Sequence, residues 1–155
     1  MPSHDETILP IAAGPLVLVV ADDLTHRSIV TRMVRTMGFR VRSCPGSIAA
    51  LAFLREHPRD VALLLTDLAL ERMDGYELCE RARDLVPGLQ VVLMVNLSGP
   101  YIDELIDQIP FVVKPVHFGE LIGLLYDFLG QPTRRSHSRP ILRARHRRSS
   151  GQPEG

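Results

Sequence analysis

Four short apolar runs punctuate an otherwise mixed chain: Leu16-Val-Leu-Val-Val-Ala21, Val61-Ala-Leu-Leu-Leu65, Val91-Val-Leu-Met-Val95 and Phe111-Val-Val113. None alternates with polar residues, the pattern of strands covered on both faces and therefore of a parallel sheet. A fifth, weaker strand is predicted at Phe39 to Ser43. Between the runs lie segments with helical spacing. Val30, Met33, Val34 and Met37 share one face, and Gly38 ends that helix. Ile48, Leu51 and Ala52 mark a second helix that stops near Pro58. Leu78, Cys79, Ala82, Leu85 and Val86 mark a third, stopped by Pro87-Gly88, and Leu121, Ile122, Leu125, Phe128 and Leu129 mark the last, before Gly130 and Pro132. The segment from Ser98 to Gln108, which contains Gly99-Pro100, is a poor helix. Strands alternating with helices and joined by right-handed crossovers give an α/β fold with a doubly wound open sheet.

Length and composition agree with one such unit. The chain has 155 residues, of which 45% are hydrophobic and 23% charged, enough apolar material for a core and too much for wholesale disorder. Three parts are expected: a loose leader at 1–15 with several prolines, a folded body at 16–130, and an Arg-rich tail at 131–155 with too few apolar residues to form a core. The formal net charge of zero conceals a division. Residues 131–155 hold seven arginines against Glu154, a net of +6, which leaves −6 on the rest. No apolar run approaches the roughly 18 residues of a membrane span. The two cysteines, Cys44 and Cys79, make neither a disulfide framework nor a metal knuckle. A cytoplasmic protein without membrane contact is expected.

Ligands of doubly wound sheets bind beyond the carboxyl ends of the strands, where strand order reverses. Asp22 and Asp23 follow the first run, Thr66-Asp67 the run ending at Leu65, and Lys114-Pro115 the last. Three carboxylates on one edge repel one another unless a cation joins them. Mg²⁺, a hard ion that accepts single oxygens and keeps waters, suits such a set. A metal and an ammonium beside an aspartate suit phosphoryl transfer, with the aspartate itself as a nucleophile that forms an acyl phosphate. Lys114 is the only lysine in the chain; arginine fills every other basic position. That singles out a compact point charge at this place. An isolated Asp-Asp after a strand is commonly a turn and helix cap, and an isolated Lys-Pro says less still. The joint occurrence at three strand ends, in this order, carries the inference.

These residues resemble the receiver domain of bacterial two-component response regulators: Asp22-Asp23, then Thr66-Asp67 with Met73-Asp74-Gly75 shortly after, then Phe111-Val-Val-Lys114-Pro115. The resemblance covers residues 16 to 129. It implies a flavodoxin-like fold with five parallel strands in the order 2-1-3-4-5. It also implies that Asp67 accepts a phosphoryl group from a histidine kinase or histidine phosphotransfer protein. Asp23 and Asp67 would ligate Mg²⁺ with the backbone carbonyl of Ala69, and Asp22 would help through water. Lys114 would pair with the phosphoryl oxygens, and Lys114-Pro115 would be a cis peptide, which proline tolerates. Gly75 would open the third helix, with Asp74 as its N-cap.

The departures from the family pattern fall at the other end of the site. The family's switch uses a Ser or Thr at the end of the fourth strand, and here that position is Val95 or Asn96, according to a one-residue register choice. Neither has a hydroxyl; Asn96 could donate an amide N–H, Val95 nothing. The aromatic partner of the switch is Phe111, which lacks the polar tip of a tyrosine. The interval from Asn96 to Lys114 is about three residues short of the family norm, as if the family's fourth helix were clipped. Ala69 has no side chain to guide a water towards an acyl phosphate. All of this touches the face that family members use for signalling and dimerisation, so a homodimer belongs among the expectations.

Three functions compete. One is a stand-alone phosphoacceptor receiver that relays phosphate or binds a downstream protein, since about 25 tail residues cannot form an output domain. The second is a degenerate receiver that keeps the acidic pocket but acts as a constitutive interaction module. The third is a small phosphohydrolase with Asp67 as nucleophile, opposed by the lack of a second acid or base near it. The complete charge set favours the first, in which the protein is not an enzyme beyond its own phosphorylation and slow dephosphorylation. The tail's arginines could hold a phosphate backbone electrostatically, but with no interleaved aromatics the sequence argues against nucleic acid as a specific partner.

Overall fold

The computed structural model describes residues 14–98 and 108–132. Most of the leader, nearly all of the basic tail and the Ser98–Gln108 segment apart from its two ends lie outside the described residues. The elements run in the order β1 (Leu16–Val20), α1 (Leu24–Thr36), β2 (Arg40–Cys44), α2 (Ser47–Glu56), β3 (Val61–Asp67), α3 (Gly75–Leu85), β4 (Gln90–Val95), β5 (Phe111–Val113) and α4 (Phe118–Leu129). The five strands form one sheet in the order β2-β1-β3-β4-β5, every pairing parallel. This is the flavodoxin-like order expected from the sequence, with β1 and β3 at its centre.

Alternation along the strands explains why their sequences show no polar period. Leu16, Leu18, Val20, Leu64, Leu93 and Val95 face one layer, where they pack with Ala50, Leu51 and Leu54 of α2 and Leu78, Cys79 and Ala82 of α3. Val17, Val19, Leu63, Leu65, Val92, Met94 and Val112 face the other, against Val30 and Val34 of α1 and Leu121 and Leu125 of α4. Both faces of the sheet are covered, so both sets of positions must be apolar. Burial of Cys79 pushes its thiol up to about 12, which leaves it an inert core residue.

Two details differ from the sequence expectation. The second strand is Arg40–Cys44, one residue later than predicted, and Phe39 is instead a buried residue just before it, edge-on to the ring of Tyr126 with centroids 5.9 Å apart. In α2 the buried face is Ser47, Ala50, Leu51 and Leu54, whereas Ile48 is 57% exposed and Ala52 is exposed. Ile48 lies in the same first turn as buried Ser47 and Ala50 but on the face of the helix turned to solvent. Gly38, at φ +101°, closes the turn after α1 in a conformation that other residues rarely adopt.

Candidate functional site

Asp67 is the last residue of β3, and this central strand carries it to the carboxyl edge of the sheet at 3% exposure. A carboxylate this enclosed requires compensating donors. The ammonium of Lys114 donates to Asp67 Oδ1 at 2.9 Å, and His26 Nε2 lies 3.2 Å from the same oxygen. Lys114 is placed by the end of β5, its backbone N–H donating to the Val95 carbonyl at 2.8 Å, and the peptide after it, Lys114-Pro115, is cis. His26 comes from the other side, in the first turn of α1. An ionised carboxylate only accepts, so the proton of the His26–Asp67 contact belongs to Nε2.

The backbone around Asp67 is held equally closely. The Leu68 N–H donates to the Met94 carbonyl at 3.0 Å, and the Gly75 N–H donates to the Leu68 carbonyl at 2.7 Å. Gly75 lies so near the strand end that a Cβ there would overlap the carbonyl oxygen of Asp67. Asp74 caps α3, its Oδ1 accepting from the Glu77 N–H at 2.9 Å. The turn Met73-Asp74-Gly75 thus both starts a helix and locks the acceptor strand from below.

The two aspartates after β1 have separate partners. Asp23 is the N-cap of α1, and its Oδ2 accepts from the His26 N–H at 2.8 Å. Asp22 Oδ2 accepts from the Glu71 N–H at 3.0 Å, across the loop that follows β3. Arg27 donates to the carbonyl of buried Ala21 at 2.7 Å and so fastens the start of α1 to the end of β1. Among the described residues no three His, Cys, Asp or Glu side chains form a group that could hold a metal ion by themselves. Asp22 Oδ1, Asp23 Oδ1 and Asp67 Oδ2 nevertheless have no hydrogen-bond partner among the described residues. Single carboxylate oxygens, with a carbonyl such as that of exposed Ala69, are the hard donors that Mg²⁺ accepts alongside its own waters.

At the β4–β5 end, Val95 is 1% exposed and its side chain belongs to the apolar core, while Asn96 is the exposed residue that follows. Of the two candidates for the switch position, only Asn96 is therefore available to solvent and the site. Phe111 is half-buried against the same core layer and pairs in register with Leu93. The sequence reading missed His26. Its contact with Asp67 spans 41 positions and depends on how a helix turn aims one side chain.

The profile of the response regulator receiver domain matches residues 17–126. The chain belongs to the response regulator receiver family. Among curated relatives it is similar to the transcriptional regulatory protein ZraR of Klebsiella oxytoca, at 30% identity over 127 residues that cover 79% of this chain and 28% of that protein. It therefore spans little more than a quarter of that regulator's length. It is also similar to the response regulator receiver protein CpdR of Brucella abortus, at 27% identity, covering 69% of this chain and 90% of that one. Among solved structures, a receiver domain protein from Clostridium thermocellum superposes with a TM-score of 0.69 at 17% identity, over 74% of this chain and 94% of that one, a likeness of fold. This chain is thus a receiver domain of the kind found in two-component response regulators, and no helix among its described residues is long and apolar enough to cross a membrane.

Proposed function

We propose that this receiver accepts a phosphoryl group on Asp67 from a histidine kinase or histidine phosphotransfer protein, and that it signals by protein contact in the cytoplasm. The observation that carries the reading is the placement of Asp67: enclosed at the end of a central strand, ion-paired to the chain's one lysine, with one carboxylate oxygen free of hydrogen-bond partners among the described residues. Lys114 then balances the charge brought in by the phosphoryl group. Mg²⁺ would be held by Asp23, Asp67 and the Ala69 carbonyl, with Asp22 helping through water, and it would supply the remaining positive charge around the transferring group. Asp23 caps α1 through Oδ2, which leaves its other carboxylate oxygen for the metal. The tail beyond residue 130 stands as a basic extension outside the chemistry.

A second reading is supported by the readout end. With Val95 in the core and no hydroxyl at Asn96, the domain could present one constant surface and act as an interaction module. Incubation with phosphoramidate and Mg²⁺, followed by intact mass, decides between the two. The phosphoacceptor reading expects a single phosphoryl adduct that is absent from Asp67→Asn. No adduct at any donor or metal concentration would leave only the constitutive module.

A further inference from the structure

Two N–H donors bracket one oxygen of the acceptor: Lys114 Nζ from β5 at 2.9 Å and His26 Nε2 from α1 at 3.2 Å, both on Asp67 Oδ1. The other oxygen has no hydrogen-bond partner among the described residues. If a cation takes that second oxygen, Oδ1 is the oxygen that attacks phosphorus. Its lone pair forms the new O–P bond, and the donor's P–N bond breaks, with the nitrogen leaving as ammonia when phosphoramidate is used. Once bonded to phosphorus, Oδ1 loses its negative charge and no longer holds either donor strongly. Each N–H then keeps a charged acceptor only by turning to the oxygens of the phosphoryl group itself, which are bonded to the phosphorus that Oδ1 now carries.

We propose that His26 is a phosphoryl-contact residue, its Nε2–H donating to a phosphoryl oxygen during transfer and in the acyl phosphate. This inference rests on the phosphoacceptor reading. It gives the site the second side-chain donor that Val95 and Asn96 do not provide as a hydroxyl, and it supplies it from the opposite end of the edge. The His26 side chain is held for this purpose: it is only 21% exposed, and its own backbone N–H is tied to the Asp23 cap at 2.8 Å. Phosphorylation is thereby felt at the first turn of α1, a helix that packs on the other face of the sheet from Phe111, the family's usual aromatic switch position.

The test uses the full chain with phosphoramidate and Mg²⁺, reading the rate of adduct formation and the lifetime of the adduct after donor removal. Loss of one preorganised donor to transition-state charge, at a site this partly exposed, is expected to slow formation in His26→Ala by about tenfold. His26→Gln, whose amide N–H reaches the place of Nε2, is expected to recover formation to within about threefold. A merely structural role for the ring would show the opposite order, since Gln does not replace its shape. With beryllium fluoride as a phosphoryl mimic, the ¹⁵N-imidazole Nε2–H signal of the unmodified chain should shift in the wild type and remain unshifted in Asp67→Asn. Formation and lifetime in His26→Ala equal to the wild type would overturn the inference while leaving Asp67 as acceptor. A wild type that forms no adduct would remove both.

Discussion

At the acceptor corner, β3, β5 and α1 each send one side chain to a single point, so that Asp67 Oδ1 is met by Lys114 and His26 within 3.2 Å. Between β3 and β5 on the same edge, β4 delivers Val95 into the core and Asn96 to solvent, and Phe111 packs half-buried in the same core layer as Val95. Both corners are built by the same means, a parallel strand ending at the sheet's carboxyl edge. They differ in what the last side chains can do: charge and directed N–H donors at one, apolar packing and an exposed amide at the other. Under the proposed function, receiving a phosphoryl group and reporting it would be separable in this fold: N–H donors already stand on Asp67, whereas the end of β4 offers no hydroxyl.

Changes at the acceptor corner should have the largest effects. Replacing Lys114 with Ala removes the one compact cation on Asp67 and is expected to slow adduct formation from phosphoramidate by about a hundredfold, measured as the initial rate by intact mass. A rate within threefold of wild type would show that the ion pair does not carry the site. Gly75→Ala comes next. The new methyl must displace the carbonyl of Asp67 or the start of α3, at a cost of about 1–3 kcal/mol, read as a lower urea midpoint. It should slow adduct formation too, since the shift is at the acceptor's own backbone. Unchanged stability would mean that the α3 turn does not brace the strand.

The smallest effect is expected at the readout end. Asn96→Ala should alter the rate of adduct formation by less than about threefold, because the amide is exposed and makes no hydrogen bond to another described residue. A loss as large as that of Lys114→Ala would erase the distinction between the two corners. It would also restore Asn96 as a direct phosphoryl contact.

How much of this was legible in the sequence depends on what each residue's surroundings require. β1, β3, β4 and β5 stand out as unbroken apolar runs because both of their faces are covered. β2 was harder to place because it is an edge strand, and Arg42 and Ser43 are exposed on it. The helix α2 is legible, but its buried face is not: Ile48 and Ala52 are exposed and small Ser47 and Ala50 are buried, because a short helix rich in apolar residues offers more than one apolar stripe. Asp67, Lys114 and Gly75 were readable because each follows a strand or a turn directly. His26 was not, because its partner lies on another strand and only the tertiary fold brings them together. Asp23 shows the converse difficulty: one carboxylate can be helix cap and candidate ligand at once, and spacing along the chain does not separate the two roles.

The most direct test of the account is to locate the phosphoryl group. After phosphoramidate and Mg²⁺, the acyl phosphate is reduced with borohydride and the full chain is digested and sequenced by mass spectrometry. The account predicts a single reduced residue, Asp67, in the peptide that ends at Arg72. Reduction at Asp22 or Asp23 instead, or no reduced residue in a chain shown to be folded, would contradict it.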